Sequence, residues 1–384
     1  MSAEESTPNK PPARPPLFMK QKVMLRMVYA LVPVLIAAIY FFGWRCLGVL
    51  VVSWAVGLAT EYITSRQRGQ SISMANFVTC WLFALSLPPL TPMWVVAVGT
   101  VVAILFGKEV FGGFGRNFAN PAIVGRAFVY VAFPVPMTAQ FVPVFKGFPG
   151  GFAHWSFRDL SELPQYIRDL PQYAQLASKN VADAITQASP MWVQREFSEQ
   201  AIIQGGSAWD AVLGNIGGLF QTSGGDVRVL AAGSMGEGCE LLIILSAVYL
   251  LWTKTANWRL MLGGFLGLLG GSVLFHYILG LTGLGGVPPL VFTLFQGTTL
   301  YAIVYMVTEP VSAPKRKAAI WVYSILIGFL IVLLRWKGIF VAAASFAILL
   351  GNIIAPLLDI GATWQADRAK ARKAAAKVAR EPAA

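Results

Sequence analysis

Histidine and cysteine are nearly missing from this chain. Among 384 residues there are two histidines and three cysteines. Cys46, Cys80 and Cys239 lie far apart, without Cys-x-x-Cys or Cys–His spacing, so this chain alone can assemble neither an iron–sulfur cluster nor a structural zinc site. His154 stands alone in an aromatic loop and His276 in an apolar run, and both read as structural. Charge is scarce too: 12% of residues are charged, and the 18 acidic residues are outnumbered by 30 basic ones. No dinucleotide fingerprint is present, because GGFGRN does not follow the strand of a βαβ unit. What is abundant is apolar sequence, 56% of the chain, with mean hydropathy +0.62. A water-soluble core could not absorb that much, so the class is an all-α polytopic membrane protein. The net charge of +12 flanks apolar runs, which makes anionic lipid its counter-charge and not nucleic acid.

Apolar runs that can cross a bilayer lie near residues 23–43, 46–65, 75–90, 92–111 and 120–136, and again near 239–253, 260–280, 288–308, 318–334 and 339–358. The third and eighth are interrupted by SLPPLTP and TEPVSAP, at corresponding places in the two sets. This weak symmetry predicts about ten transmembrane helices in two five-helix repeats with broken or half helices. Five is odd, so the second repeat is inverted. The expected divisions are an N-terminal tail (1–22), disordered over most of its length, a first repeat (23–136), a hydrophilic segment (137–237), a second repeat (238–359) and a basic C-terminal tail (360–384). No short apolar stretch with an Ala-x-Ala cleavage site follows the N-terminal tail, and the first span is expected to be retained.

The charge distribution tests that topology. With the N-terminus inside, the pieces on the cytoplasmic side hold 19 of the 30 Lys and Arg residues, whereas the short outer loops hold only Arg45, Arg335 and Lys337. The positive-inside rule therefore predicts both termini in the cytoplasm and the segment 137–237 outside. That segment carries six basic and nine acidic residues and turn clusters such as FPGGF and TSGGD. At about 100 residues it is too long for a plain connection and is expected to carry function.

Residues Gly107–Pro134, GKEVFGGFGRNFANPAIVGRAFVYVAFP, depart from an ordinary span. Gly107, Gly112, Gly113 and Gly115 allow positive φ and close backbone approach, and Asn120-Pro121 reads as a helix start. Irregular backbone at membrane depth needs protein, water or a ligand to satisfy it. Lys108, Asn117, Asn120 and Arg126 are polar groups that are costly there without a partner. Gly112, Gly113 and the GSMGE stretch (Gly233, Ser234, Met235, Gly236, Glu237) serve either helix packing or ligand contact. Glu61, Glu309 and Asp359 end or interrupt spans. They are either salt-bridged, Glu61 to Arg66 or Arg68 for instance, or form a cation path of hard carboxylate oxygens. In the outer segment, VADAITQASPM holds Asp183, Thr186 and Ser189, which on pattern alone are turn formers ahead of Pro190.

Taken together, GKEVFGGFGRNFANPAIVGRAF, ALSLPPLTP, AAGSMGE, LLWTKTANWR, EPVSA and APLLD resemble, in one order over nearly the whole chain, the membrane-embedded B subunit of the sodium-translocating NADH:quinone oxidoreductase (NQR) family. They are similar, less closely, to the D subunit of the RNF complex, in which ferredoxin and NAD⁺ replace quinone. The resemblance implies a respiratory translocase component in the bacterial cytoplasmic (inner) membrane, passing electrons through FMN and riboflavin to quinone while Na⁺ or H⁺ crosses. It implies FMN in phosphoester linkage within a motif Asp-x-x-Ser/Thr-Gly-Ala-Thr. The aligned residues are Asp183, Thr186, Gln187, Ala188 and Ser189, with Gln187 in place of Gly and Ser189 in place of the flavin-bearing Thr. A noncovalent riboflavin is implied within the membrane core, and Lys108, Asn117, Asn120 and Arg126, costly at membrane depth without a partner, are expected near a flavin or quinone. Implied partners are a second covalent-FMN subunit, iron–sulfur membrane subunits, an NADH- and FAD-binding subunit, and a flavin transferase for maturation. The competing reading of the same broken helices is a substrate transporter with no redox cofactor.

Overall fold

A computed structural model describes residues 16–138, 140–157, 165–169, 189–283, 285–337 and 342–378. Each expected apolar run forms helix. The first set is α1 (Lys22–Phe42), α2 (Arg45–Gln67), α3 (Ala75–Leu85), α4 (Met93–Leu105) and α5 (Pro121–Ala132). A short helix, α6 (Pro190–Phe197), follows in the hydrophilic segment. The second set is α7 (Glu240–Trp252), α8 (Trp258–Ser272, continuing as a π-helix to Ile278), α9 (Leu290–Phe295) with α10 (Thr299–Tyr301, continuing as a π-helix to Met306), α11 (Lys317–Lys337) and α12 (Ala343–Val378). Among the described residues six helices are long and apolar enough to cross a membrane, and α3, α5 and α7 are shorter apolar helices.

The half helices have local causes. Helix α3 stops at Leu85, where Ser86 Oγ turns back to the Phe83 carbonyl (2.7 Å) and Pro88 and Pro89 offer no N–H to continue the ladder. The break in the eighth span differs from expectation. It falls at Gln296-Gly297-Thr298, where Gly297 takes φ +70°, and TEPVSAP follows the span instead of interrupting it. Helix α12 also runs on to Val378 without a break at residue 359, because the tail sequence is rich in alanine, lysine and arginine, all good helix formers.

In both sets the second helix packs on the fourth and the fourth on the fifth. Small residues permit this: a Cβ at Gly328 on α11 would lie 2.1 Å from the Gly264 carbonyl oxygen on α8. The first helices of the two sets run antiparallel. Arg26 Nη1 near the start of α1 donates to Thr253 O just past α7, and Ser246 Oγ donates to Ala30 O. The second set is thus turned over relative to the first. One end of the bundle, the tail end, gathers the starts of α1, α3 and α5 with the ends of α2 and α4. At the opposite loop end the hydrophilic segment folds against the helices: Trp44 and Arg45 N–H groups donate to the His154 and Trp155 carbonyls. This segment contains a three-stranded antiparallel sheet of β1 (Ile202–Gln204), β2 (Gly218–Gln221) and β3 (Val227–Leu230). The TSGGD stretch closes its β2–β3 hairpin through Thr222 N donating to Asp226 O (2.8 Å). His154 stacks on Phe145 with ring centroids 4.5 Å apart, and His276 Nδ1 lies 2.6 Å from Val287 O. Each histidine thus has a local contact, and among the described residues no group of three or more His, Cys, Asp or Glu could hold a metal ion.

Candidate functional site

Two cavities lie at the helix breaks, one at each end of the bundle. The loop-end cavity is lined by Arg126, Tyr130, Ser189, Gly233, Ser234, Glu237, Gln296, Gly297 and Thr298, among others. Asn120 caps α5, accepting from Ala122 N (3.0 Å) with Pro121 at the first helical position. This cap sets the helix that carries Arg126 inward. The GSMGE stretch folds as a 3₁₀ turn. Ser234 and Glu237 form a reciprocal capping box, and Met235 N donates to Leu87 O (3.1 Å), fastening the turn to the end of α3. Gly236 is required by that fit, since a Cβ there would stand 2.7 Å from the Tyr301 ring and 3.0 Å from Leu85 O. Gln296 Nε2 donates to Gly206 O (3.1 Å) and Ser207 O (2.9 Å), tying the span break to the hydrophilic segment.

Ser189 occupies the N-cap of α6 yet does not cap it. A serine there ordinarily accepts from a first-turn N–H. Here Oγ is buried in the cavity with no hydrogen-bond partner among the described residues, as are Nε and Nη1 of Arg126 and Oε2 of Glu237. Nearby, both carboxylate oxygens of Glu240 and Nε of Arg335 are also buried and unfilled, although Arg335 Nη1 donates to Thr293 O (2.7 Å). Buried polar atoms are rarely left in this state. A nucleophilic hydroxyl lining the same cavity as an arginine whose Nε and Nη1 have no hydrogen-bond partner among the described residues suits an anionic ester such as a phosphoryl group. If FMN is esterified to Ser189, Arg126→Met is expected to lower the rate of that attachment by about ten- to a hundredfold, the worth of a hydrogen bond to a charged group. Arg126→Lys is expected to fall between. Labelling at the wild-type rate in Arg126→Met, timed by in-gel fluorescence, would rule the arginine out.

The tail-end cavity is lined by residues that include Lys108, Phe114, Asn117, Asn120, Tyr305, Thr308 and Glu309. Beside it a polar cleft holds Glu61, Arg68, Glu109, Gly112, Gly113 and Arg116. Lys108 is 2% exposed and joins three elements: Nζ lies 2.7 Å from Glu61 Oε2, donates to Ser73 Oγ (2.7 Å) and lies 3.7 Å from Glu109 Oε1. Glu61 also accepts from Ser73 N (2.8 Å) and Asn76 Nδ2 (2.5 Å). Its partner is therefore Lys108, which corrects the expected Arg66 or Arg68. Arg68 instead pairs with Glu109, and Arg66 contacts Tyr62. Glu309 accepts from Ser312 N (2.8 Å), and Asp359 from Lys315 N (2.9 Å) and Arg316 N (2.9 Å). Each of these carboxylates is committed locally.

The sequence-expected residues thus divide between the two ends. Arg126, Ser189, Gly233, Ser234 and Glu237 meet in the loop-end cavity, with Met235 and Gly236 forming its turn, whereas Lys108, Gly112, Gly113, Asn117 and Asn120 lie at the tail end. Asp183, Thr186, Gln187 and Ala188 fall outside the described residues. Sequence reasoning missed Gln296, Thr298, Arg335 and Tyr305. The Gln-Gly-Thr-Thr interruption of an apolar run was the signal for the first two.

Inverted helix sets, two half-spans and a cavity at each break define a polytopic membrane protein whose sites lie where helices are interrupted. The chain belongs to the NQR2, RnfD, RnfE family, which matches residues 18–364. It is 31% identical over 347 residues to the D subunit of the ion-translocating oxidoreductase complex of Aeromonas salmonicida, covering 88% of this chain and 92% of that one. It is 32% identical over 315 residues to the B subunit of the Na⁺-translocating NADH-quinone reductase of Ectopseudomonas mendocina, covering 82% of this chain and 66% of that one. The corresponding D subunit of Aeromonas hydrophila is 30% identical over 348 residues, with coverage of 88% and 92%. The chain therefore spans nearly all of the ion-translocating oxidoreductase relatives and just under two thirds of that NADH-quinone reductase relative. Identity does not separate the two kinds.

Proposed function

We propose that this chain is the membrane-embedded, flavin-carrying electron-transfer subunit of an ion-translocating oxidoreductase complex, with FMN esterified to Ser189 in the loop-end cavity and riboflavin held noncovalently in the tail-end cavity. The observation that carries this reading is the buried, non-capping hydroxyl of Ser189 in a cavity that Arg126 also lines. The second cavity supports it, since its lining is largely apolar with a few polar groups, as a flat heteroaromatic ligand requires. The flavins supply one- and two-electron chemistry when bound. The protein's part is placement. Ser189 tethers, Arg126 offsets phosphoryl charge, the Ser234–Glu237 turn walls the loop-end cavity, and Asn117 and Asn120 rim the tail-end one. Tyr301 and Tyr305, four residues apart with ring centroids 5.0 Å apart, stand between the two cavities: Tyr301 packs on Gly236 and Tyr305 lines the tail-end site.

In this reading the complex is of the NQR type, accepting electrons from other subunits and delivering them to quinone while Na⁺ or H⁺ crosses. Its partners are a second covalent-FMN subunit, iron–sulfur membrane subunits and an NADH- and FAD-binding subunit, with a flavin transferase acting during maturation. The complex lies in the inner membrane with both termini of this chain cytoplasmic, and Glu61, Glu309 and Asp359 are its candidate carboxylates for the ion. Matching chain length favours a second reading, RNF-type membership, with ferredoxin and NAD⁺ as terminal partners. Denaturing the purified complex, prepared with its transferase, is expected to release one flavin and leave another on this polypeptide. A preparation free of flavin would favour a transporter and end the proposal.

A further inference from the structure

The hydrophilic segment opens with a stretch unlike the rest of it. Residues 140–157, QFVPVFKGFPGGFAHWSF, hold Lys146 as their one charged residue, and all nine acidic residues of the segment come later in the chain. Phe141, Val142, Val144, Phe145 and Phe157 are buried, whereas Phe148, Phe152 and Trp155 are exposed, Phe148 by 95%. Three large aromatic side chains left outward on one short stretch mark a contact surface.

Its position follows from how it is moored. Phe145 N donates to Phe41 O (2.8 Å), Tyr40 Oη to Gly147 O (3.1 Å) and Trp44 Nε1 to Phe152 O (2.9 Å). These bonds hold the stretch to the turn between α1 and α2. Gly43 in that turn takes φ +93°, and a Cβ there would stand 2.8 Å from His154 O. Both helices are long and apolar enough to cross a membrane, so the turn they share, and the stretch tied to it, lie at a bilayer surface. Trp155 reaches further. Its ring is the first atom group a Cβ on Gly48 would meet (3.3 Å), one turn inside α2, with Met93 at the start of α4 next (3.4 Å). Trp44, Gly48 and Val51 share one face of α2, and Trp44 and Val51 are exposed. The Trp155 ring therefore fills the gap in a stripe that faces lipid.

We propose that Phe148, Phe152 and Trp155 form an interfacial anchor that enters the headgroup region of the bilayer and fixes the hydrophilic segment to the membrane surface. Aromatic rings are favoured at that depth, and a stretch without carboxylates does not repel lipid phosphates. A patch built for a soluble partner carries a polar rim; this one continues the lipid-facing side of α2. The same stretch supplies Phe141 to the loop-end cavity, so the anchor also steadies one wall of that cavity.

The test uses the assembled complex with Phe148→Cys, carrying an environment-sensitive fluorophore, in vesicles of phosphatidylcholine and phosphatidylglycerol. The wild-type complex labelled in parallel supplies the background. Because Phe148 is 95% exposed, its replacement leaves the fold intact. Its emission is expected to be blue-shifted from that of the free dye in water. Lipids with a nitroxide near the headgroup should quench it more strongly than lipids with a nitroxide at the chain end, as for a side chain about 5–10 Å below the surface. Iodide present on both sides of the membrane should quench it weakly. Strong quenching by iodide with none by either lipid would place residue 148 in water. Resistance to iodide and to both lipids would show that another protein covers it. Either result overturns the anchor.

Discussion

Replacing Lys108 with methionine should strongly destabilise the tail end of the first helix set, by about 3–5 kcal/mol, the usual result of removing one partner from a buried ion pair. Glu61 and Glu109, exposed by 2% each, would be left in a low-dielectric interior. Glu61 would keep only Ser73 N and Asn76, and Glu109 would depend on Arg68 and Thr64. The same lysine pins the start of α3 through Ser73, so losing it also loosens a wall of the tail-end cavity. Glu61→Gln combined with Lys108→Met removes charge of both signs, and should recover a large part of the loss because the two sites are in direct contact. Thermal unfolding of the wild type, both single variants and the double variant measures this coupling. Additive effects would show that Lys108 and Glu61 act independently, contrary to their 2.7 Å separation.

The second large effect is expected at Ser189. Ser189→Ala should abolish covalent flavin on this polypeptide, whereas Ser189→Thr should keep it. Threonine offers the same hydroxyl, and the extended backbone at this position, φ −67° and ψ 155°, accepts a β-branched side chain. The alanine variant should also fold as well as the wild type. An ordinary N-cap serine contributes about 0.5–2 kcal/mol, but this one makes no cap bond. Gel fluorescence together with melting temperature therefore distinguishes a serine kept for chemistry from one kept for helix α6. A fluorescent Ser189→Ala chain, or one that melts early with its flavin intact, would contradict that assignment.

Much of the fold was legible in the sequence because hydrophobic length is decisive in a bilayer. The ten apolar runs, the stop of α3 at a proline cluster and the start of α5 at Asn120-Pro121 all follow from local chemistry. The break at Gln296-Gly297-Thr298 was harder to read, since it contains no proline and the neighbouring TEPVSAP gives a louder turn signal. The β1–β3 sheet was likewise hidden: only its TSGGD turn stood out, and its strands of three or four residues are too short to show an alternating pattern. For Glu61, proximity along the chain favoured Arg66 or Arg68, but the end of α4 brings Lys108 to it instead. At the candidate site, the Ser189 hydroxyl could be singled out only through motif resemblance. Its burial, its failure to cap α6 and its place in a cavity shared with Arg126 are tertiary facts. Tyr305 gave no sequence signal at all, because an aromatic residue in an apolar span ordinarily reports packing.

The central claim is that Ser189 carries the flavin. It is tested most directly by the mass of the proteolytic fragment containing that residue, taken from the natively assembled complex. The account predicts a fragment heavier by one FMN joined through loss of water, with fragmentation placing the addition on Ser189. An unmodified fragment from a complex that is otherwise intact and matured with its transferase would contradict it.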